Sequence, residues 1–116
     1  MPYHLLIDTA LPPTMLEMLG DTCEIHLLND ALQDDSLLAQ IDGYVTYGHP
    51  PTDGPLMDRM PNLKIISNFG VGVDHVNLAD AAARNIPVGN TPGFVDGATA
   101  DFTFALLMAI GRNILI

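Results

Sequence analysis

Short apolar runs alternate along the chain with stretches whose apolar positions recur at helical spacing. Tyr3 to Ile7 predicts a first strand, closed by Asp8. Pro12-Pro13 then opens a helix through Leu16 and Leu19, stopped at Gly20. Proline suits a first helical turn because its missing N–H would have no partner there. Cys23 to Leu28 predicts a second strand, followed by a helix from about Asp34 to Gln40 with acidic residues at its positive end. Gly43 to Tyr47 is a third strand, and Gly48 to Gly54 a loop of turn formers. A short helix from Pro55 to Met60 leads to a fourth strand, Lys64 to Asn68, and a glycine loop, Gly70 to Asp74. Asn77 is placed to cap the next helix, with Asp80 three residues on as a capping-box variant; that helix runs to about Asn85. Pro87 to Gly89 is a short fifth strand, Asn90-Thr91-Pro92-Gly93 a turn, and Val95 to Asn113 a long helix.

Five strands alternating with helices predict an α/β fold: a flavodoxin-like, doubly wound parallel sheet, order 2-1-3-4-5, covered on both faces, with a long C-terminal helix. Ligands in such sheets bind beyond the carboxyl ends of the strands, near the point where strand order reverses. Four loops lie there: Asp8 to Pro13, Tyr47 to Gly54, Phe69 to Asp74 and Asn90 to Gly93. In the third, Gly70 and Gly72 let the backbone approach a ligand closely, and successive N–H groups can form a concave anion site suited to a carboxylate. The two glycines could equally do no more than shape a tight turn. Gly70-x-Gly72 begins like a dinucleotide fingerprint, but the third glycine position holds His75, so the match fails.

Composition narrows the function classes. With 4 Lys plus Arg against 14 Asp plus Glu among 116 residues, the net charge of -10 argues against nucleic acid and against anionic membranes. The apolar run Phe102 to Ile110 is about half a membrane span. A lone cysteine, Cys23, and a start without signal-peptide features suggest a reducing, cytoplasmic setting. Of the four histidines, His4 and His26 fall in strands and read as structural, whereas His49 points toward the edge of the predicted site. His75 with Asp74 is expected to tie the glycine loop to the next helix, and no pair shows metal-ligand spacing. Asp8 is a weak site candidate against a turn-forming role.

Asn62 to Ser67, Gly70 to Asn77, Ala81 to Val88, Asn90-Thr91-Pro92, Ala100-Asp101 and the apolar helix closing on Arg112-Asn113 stand in an order that resembles the D-isomer-specific 2-hydroxyacid dehydrogenases, of the glyoxylate/hydroxypyruvate reductase kind. The likeness is strong over residues 62–113 and general before that. It implies hydride transfer between a nicotinamide cofactor, NAD or NADP, and a small 2-keto or 2-hydroxy acid. It implies that the Val71 and Gly72 amides hold the substrate carboxylate, that Tyr47 and Gly48 line the pocket, and that Val71 and Thr99 lie toward the cofactor. Residues 1–93 then correspond to the substrate-binding domain, incomplete, and 94–116 to a helix leading toward a dinucleotide-binding domain outside this sequence. The family's catalytic Arg, Glu and His have no counterpart here, so the chain is expected to lack activity alone and to bind no cofactor tightly. The long helix, apolar on most sides, is expected to form a homo-oligomer or else to pack on its own sheet. The competing reading is a non-catalytic, small-anion-binding or regulatory flavodoxin-like module. A phospho-acceptor receiver does not fit, since Tyr47 and Asn90 stand where it would need an acid and a lysine.

Overall fold

A computed structural model describes residues 2–114. Its elements, in order, are β1 (Tyr3–Ile7), α1 (Pro13–Leu19), a 3-10 turn (Gly20–Thr22), β2 (Cys23–Leu27), α2 (Leu28–Ala31) and α3 (Asp35–Leu38). There follow β3 (Gly43–Thr46), α4 (Gly54–Asp58), β4 (Ile65–Asn68), α5 (Leu78–Ala83), β5 (Val88–Gly89) and α6 (Asp96–Gly111). The five strands form one all-parallel sheet in the order β2-β1-β3-β4-β5, as the alternation predicts. Residues 115 and 116 of the expected C-terminal segment lie outside the described residues.

Strand pairing places His26, Leu6, Tyr44, Ile66 and Val88 in one row across the sheet. Side chains alternate between faces along a strand, so this row belongs to a single face. Leu6, Tyr44 and Ile66 are fully buried on it, packed with Leu38, Ile41, Met57, Met60 and Ala81 from the segments that cross that face. The other face is covered too, more thinly, by the segment that includes α1. Leu11, Met15, Met18 and Leu19 line a cavity with Val45 and Ser67 there, while Leu27 and Ile65 remain exposed.

Two expected elements are redistributed. β2 ends at Leu27, and Leu28 starts a separate helical turn because Leu28 and Ala31, three apart, both turn into the core. The expected helix of residues 34–40 shrinks to one turn, with the Asp34 carboxylate capping it by accepting from the Ser36 and Leu37 N–H groups. The Ser36 hydroxyl also donates to that carboxylate, which lies below its ordinary pKa for that reason first. The capping box is only half formed. Asn77 Oδ1 accepts from the Asp80 N–H at 3.0 Å, but the Asp80 carboxylate accepts from Gly54 N–H instead, and Asn77 N–H donates to the Thr52 carbonyl.

α6 stands away from the sheet. None of its residues is buried, and Phe102, Phe104, Leu107, Met108 and Ile110 are each more than 60% exposed. The radius of gyration, 17.7 Å, exceeds the ~13 Å of a compact domain of this length because this helix projects. The alternative that α6 packs on its own sheet is therefore not met.

Candidate functional site

The parallel strands end on one rim, where Asp8, Thr46, Asn68 and Gly89 close β1, β3, β4 and β5. Strand order reverses between β1 and β3. At that point the Asp8 carboxylate accepts from the Tyr47 N–H at 2.8 Å and from the Gly48 N–H at 2.5 Å. Asp8 is thus a tie between two strand ends, and the Gly48 amide is already committed. A Cβ on Gly48 would meet that carboxylate at 3.0 Å, so a side chain there would press on the Asp8 tie. The Tyr47 ring lies tilted against Phe69, 4.8 Å between centroids.

The neighbouring strand ends build the glycine loop from the inside. Asn68, buried at the end of β4, donates through Nδ2 to the carbonyls of Gly70 (3.0 Å) and Gly72 (2.8 Å). These contacts fix the orientation of the amide, so Oδ1 is the acceptor of the 2.6 Å bond from the buried Thr46 hydroxyl. With its proton spent, Thr46 Oγ1 accepts from His75 Nε2 at 3.3 Å. Burial first, and the neighbouring His49 second, hold the His75 imidazole below its ordinary pKa of 6.5. His49 stacks on His75 at 4.6 Å and donates from Nε2 to the Phe69 carbonyl at 2.9 Å.

From the other side, the Gly70 N–H donates to Thr91 Oγ1, the Thr91 N–H to the Gly70 carbonyl, and Asn90 Nδ2 to the Val71 carbonyl, each at 3.0 Å. The carbonyls of Gly70, Val71 and Gly72 are all engaged by protein donors. In a trans peptide the N–H points opposite to its carbonyl, and the chain has no cis bonds. The N–H groups of Val71, Gly72 and Val73 therefore point away from those donors. Among the described residues, none of these amides donates a hydrogen bond. Gly70, at φ 122°, supplies the backbone turn that allows this.

Val71 and Gly72 are exposed at this surface. A recess of about 350 Å³ lies against Phe69, Gly70, Thr91, Phe94 and Val95, and a second of about 500 Å³ against residues 51–53 and 73–78. Thr99 lines neither; it sits exposed on α6, its carbonyl taking the Thr103 hydroxyl. The structure thus brings Tyr47, Gly48, His49, Val71, Gly72 and His75 to one rim and leaves Thr99 on the projecting helix. Sequence reasoning passed over Thr46, Asn68, Thr91 and the Val73 amide. The available signal was a polar Ser67-Asn68 pair ending an apolar strand.

Residues 5–112 match the family of the D-isomer specific 2-hydroxyacid dehydrogenase, catalytic domain. The chain belongs to this family. It is 34% identical over 114 residues to the glyoxylate reductase of Thermococcus litoralis, covering 94% of this chain and 34% of that protein. It superposes with a TM-score of 0.81 on a 2-hydroxyacid dehydrogenase from Ketogulonicigenium vulgare Y25, 33% identical, covering 98% of this chain and 37% of that one. The NADPH-dependent glyoxylate/hydroxypyruvate reductase of Sinorhizobium meliloti, solved with NADP and malonate, gives a TM-score of 0.75 at 32% identity, covering 94% and 34%. The chain spans about a third of the length of these dehydrogenases.

The family implies a nicotinamide cofactor, and the residues present do not fit one. The turn after β4 has His75 at the third glycine position, and its ring is stacked on His49. Three of the four cations are paired with carboxylates, Arg59 with Asp35, Arg84 with Asp58 and Lys64 with Asp42, and the fourth, Arg112, stands at the C-cap of α6.

Proposed function

We propose that this chain is the substrate-holding part of a 2-hydroxyacid dehydrogenase, and that its glycine loop binds the carboxylate of a small 2-keto or D-2-hydroxy acid. The outward, partnerless amides of Val71 and Gly72 carry this reading. Each hydrogen bond from them to a charged carboxylate contributes about 1.5–3 kcal/mol. The carboxylate is held by main-chain dipoles already fixed in place, so no side chain reorganises when it binds. Tyr47 and Gly48 line the pocket beside the loop, and Val71 borders the nicotinamide position. Thr99 reaches the cofactor only if α6 lies against a second domain.

Keto-acid reduction needs a hydride donor, a proton donor and a cation that polarises the carbonyl, all in one place. Among the described residues no free Arg–His pair stands at the loop, so the proton donor and the cation come from residues of a second domain, which also holds NAD or NADP. The protein works in the cytoplasm, where Cys23 stays a thiol. The apolar α6 is covered in the working enzyme by a second copy, as a homo-oligomer. The alternative of a purely regulatory anion-binding module is not favoured by the family match.

A turnover assay of residues 1–116 with glyoxylate or hydroxypyruvate and either reduced cofactor is expected to show no cofactor oxidation above background. Clear oxidation would reject this division of labour.

A further inference from the structure

Strand pairing brings together three side chains at the open edge of the core that lie far apart in the sequence. β1 and β2 pair in parallel with His4 opposite Glu24 and His26 opposite Leu6. Residues two apart on a strand share a face, so Glu24 and His26 of β2 project on the same side as His4 of β1. His4 Nδ1 stands 3.0 Å from His26 Nε2, and the Glu24 carboxylate lies 3.8 Å from the first and 4.0 Å from the second. The two rings are stacked, 5.3 Å between centroids. One ligand atom from each of the three residues fits within a span of 4.8 Å.

The 3.0 Å His–His separation is that of a coordination sphere, and the carboxylate oxygens, at 3.8 and 4.0 Å, reach it by a small rotation of the exposed Glu24 side chain. Two donor atoms each about 2.1 Å from a shared zinc ion stand about 3.0–3.9 Å apart over angles of 90–135°. Two imidazoles and a carboxylate form a donor set that suits zinc better than a hard cation such as calcium or magnesium. We propose that His4, Glu24 and His26 form a binding site for a divalent transition-metal ion, with zinc as the type case and a fourth position open to water. The two facing nitrogens stand at hydrogen-bond distance, one donating to the other, and a metal ion takes both as ligands once that proton has left the facing nitrogen. The ligands come from two adjacent strands, one of them the edge strand β2, so an ion held there crosslinks the edge of the sheet.

The site can be reached and altered without disturbing the core. The Glu24 side chain is 56% exposed and the histidines are partly exposed. The test is a titration of the purified, tag-free protein with zinc sulfate, followed by calorimetry and by the ring resonances of all four histidines. The expected result is one zinc per chain. The His4 and His26 rings should shift together while His49 and His75 stay put, and the thermal midpoint should rise with zinc concentration. Glu24→Gln and His26→Ala should each weaken zinc at least tenfold. Cobalt bound at the same site should give visible d–d absorption that both variants abolish. Absence of a ring shift at His4 and His26 up to millimolar zinc would overturn the proposal. So would an affinity within twofold of the parent in both variants.

Discussion

Asn68 and Thr46 show what single residues contribute here. Neither carries chemistry, yet their hydrogen bonds run from His75 through Thr46 and Asn68 to the carbonyls of Gly70 and Gly72. The last links turn the loop carbonyls inward and its amides outward. His75 heads this chain as a neutral donor. Because its folded pKa lies below the ordinary 6.5, protonation favours the unfolded state. Its contribution is complete above about pH 6.5 and declines as pH falls from there toward the folded value. An NMR titration of the His75 ring should give a midpoint below 6.5, with the denaturation midpoint decreasing over the same range; a ring midpoint above 6.5 would contradict this. The glycines of the loop were legible in the sequence because Gly70-x-Gly72 is a backbone signal. The buried polar support was not, because which strand-end side chains face inward depends on cross-strand register.

Among the elements, strand and helix alternation was readable because period-two and helical patterns survive in short segments, and the parallel order followed from them. Where the sequence misled, tertiary contacts overrode local preference. Asp80 fits a capping box by spacing, but the Gly54 N–H offers its carboxylate a partner from another segment. The cap of α5 therefore rests on Asn77 alone. Asn77→Ala is expected to cost about 1 kcal/mol, read as a lower denaturant midpoint with unchanged slope. The His4–Glu24–His26 cluster was invisible for a related reason. Metal-ligand spacing is sought along one segment, whereas this set is assembled by pairing residues some twenty positions apart.

At the scale of the whole molecule, the unpacked α6 is the dominant feature. Its even apolar coverage signalled burial on several sides, and the sheet does not provide it. No helix among the described residues is long and apolar enough to cross a membrane. Burying six large side chains on each of two copies, at about 1.5–3 kcal/mol each, gives a gross gain of roughly 18–36 kcal/mol, above the cost of about 4–15 kcal/mol for association. The chain is therefore expected to self-associate at micromolar concentration in light scattering. Phe102→Ser with Leu106→Ser should weaken association at least tenfold, and a parent protein that stays monomeric would contradict that role for α6.

The claim on which the functional reading turns is that the Val71 and Gly72 amides await a carboxylate. The direct measurement is an amide-resolved NMR titration with glyoxylate, using chloride at equal ionic strength as control. The account predicts saturating shifts centred on Val71 and Gly72, with a dissociation constant of millimolar order, about -4 kcal/mol, and further weakening in Asn68→Ala, where the loop loses its inner support. Shifts matched by chloride, or centred away from residues 70–73, would contradict it.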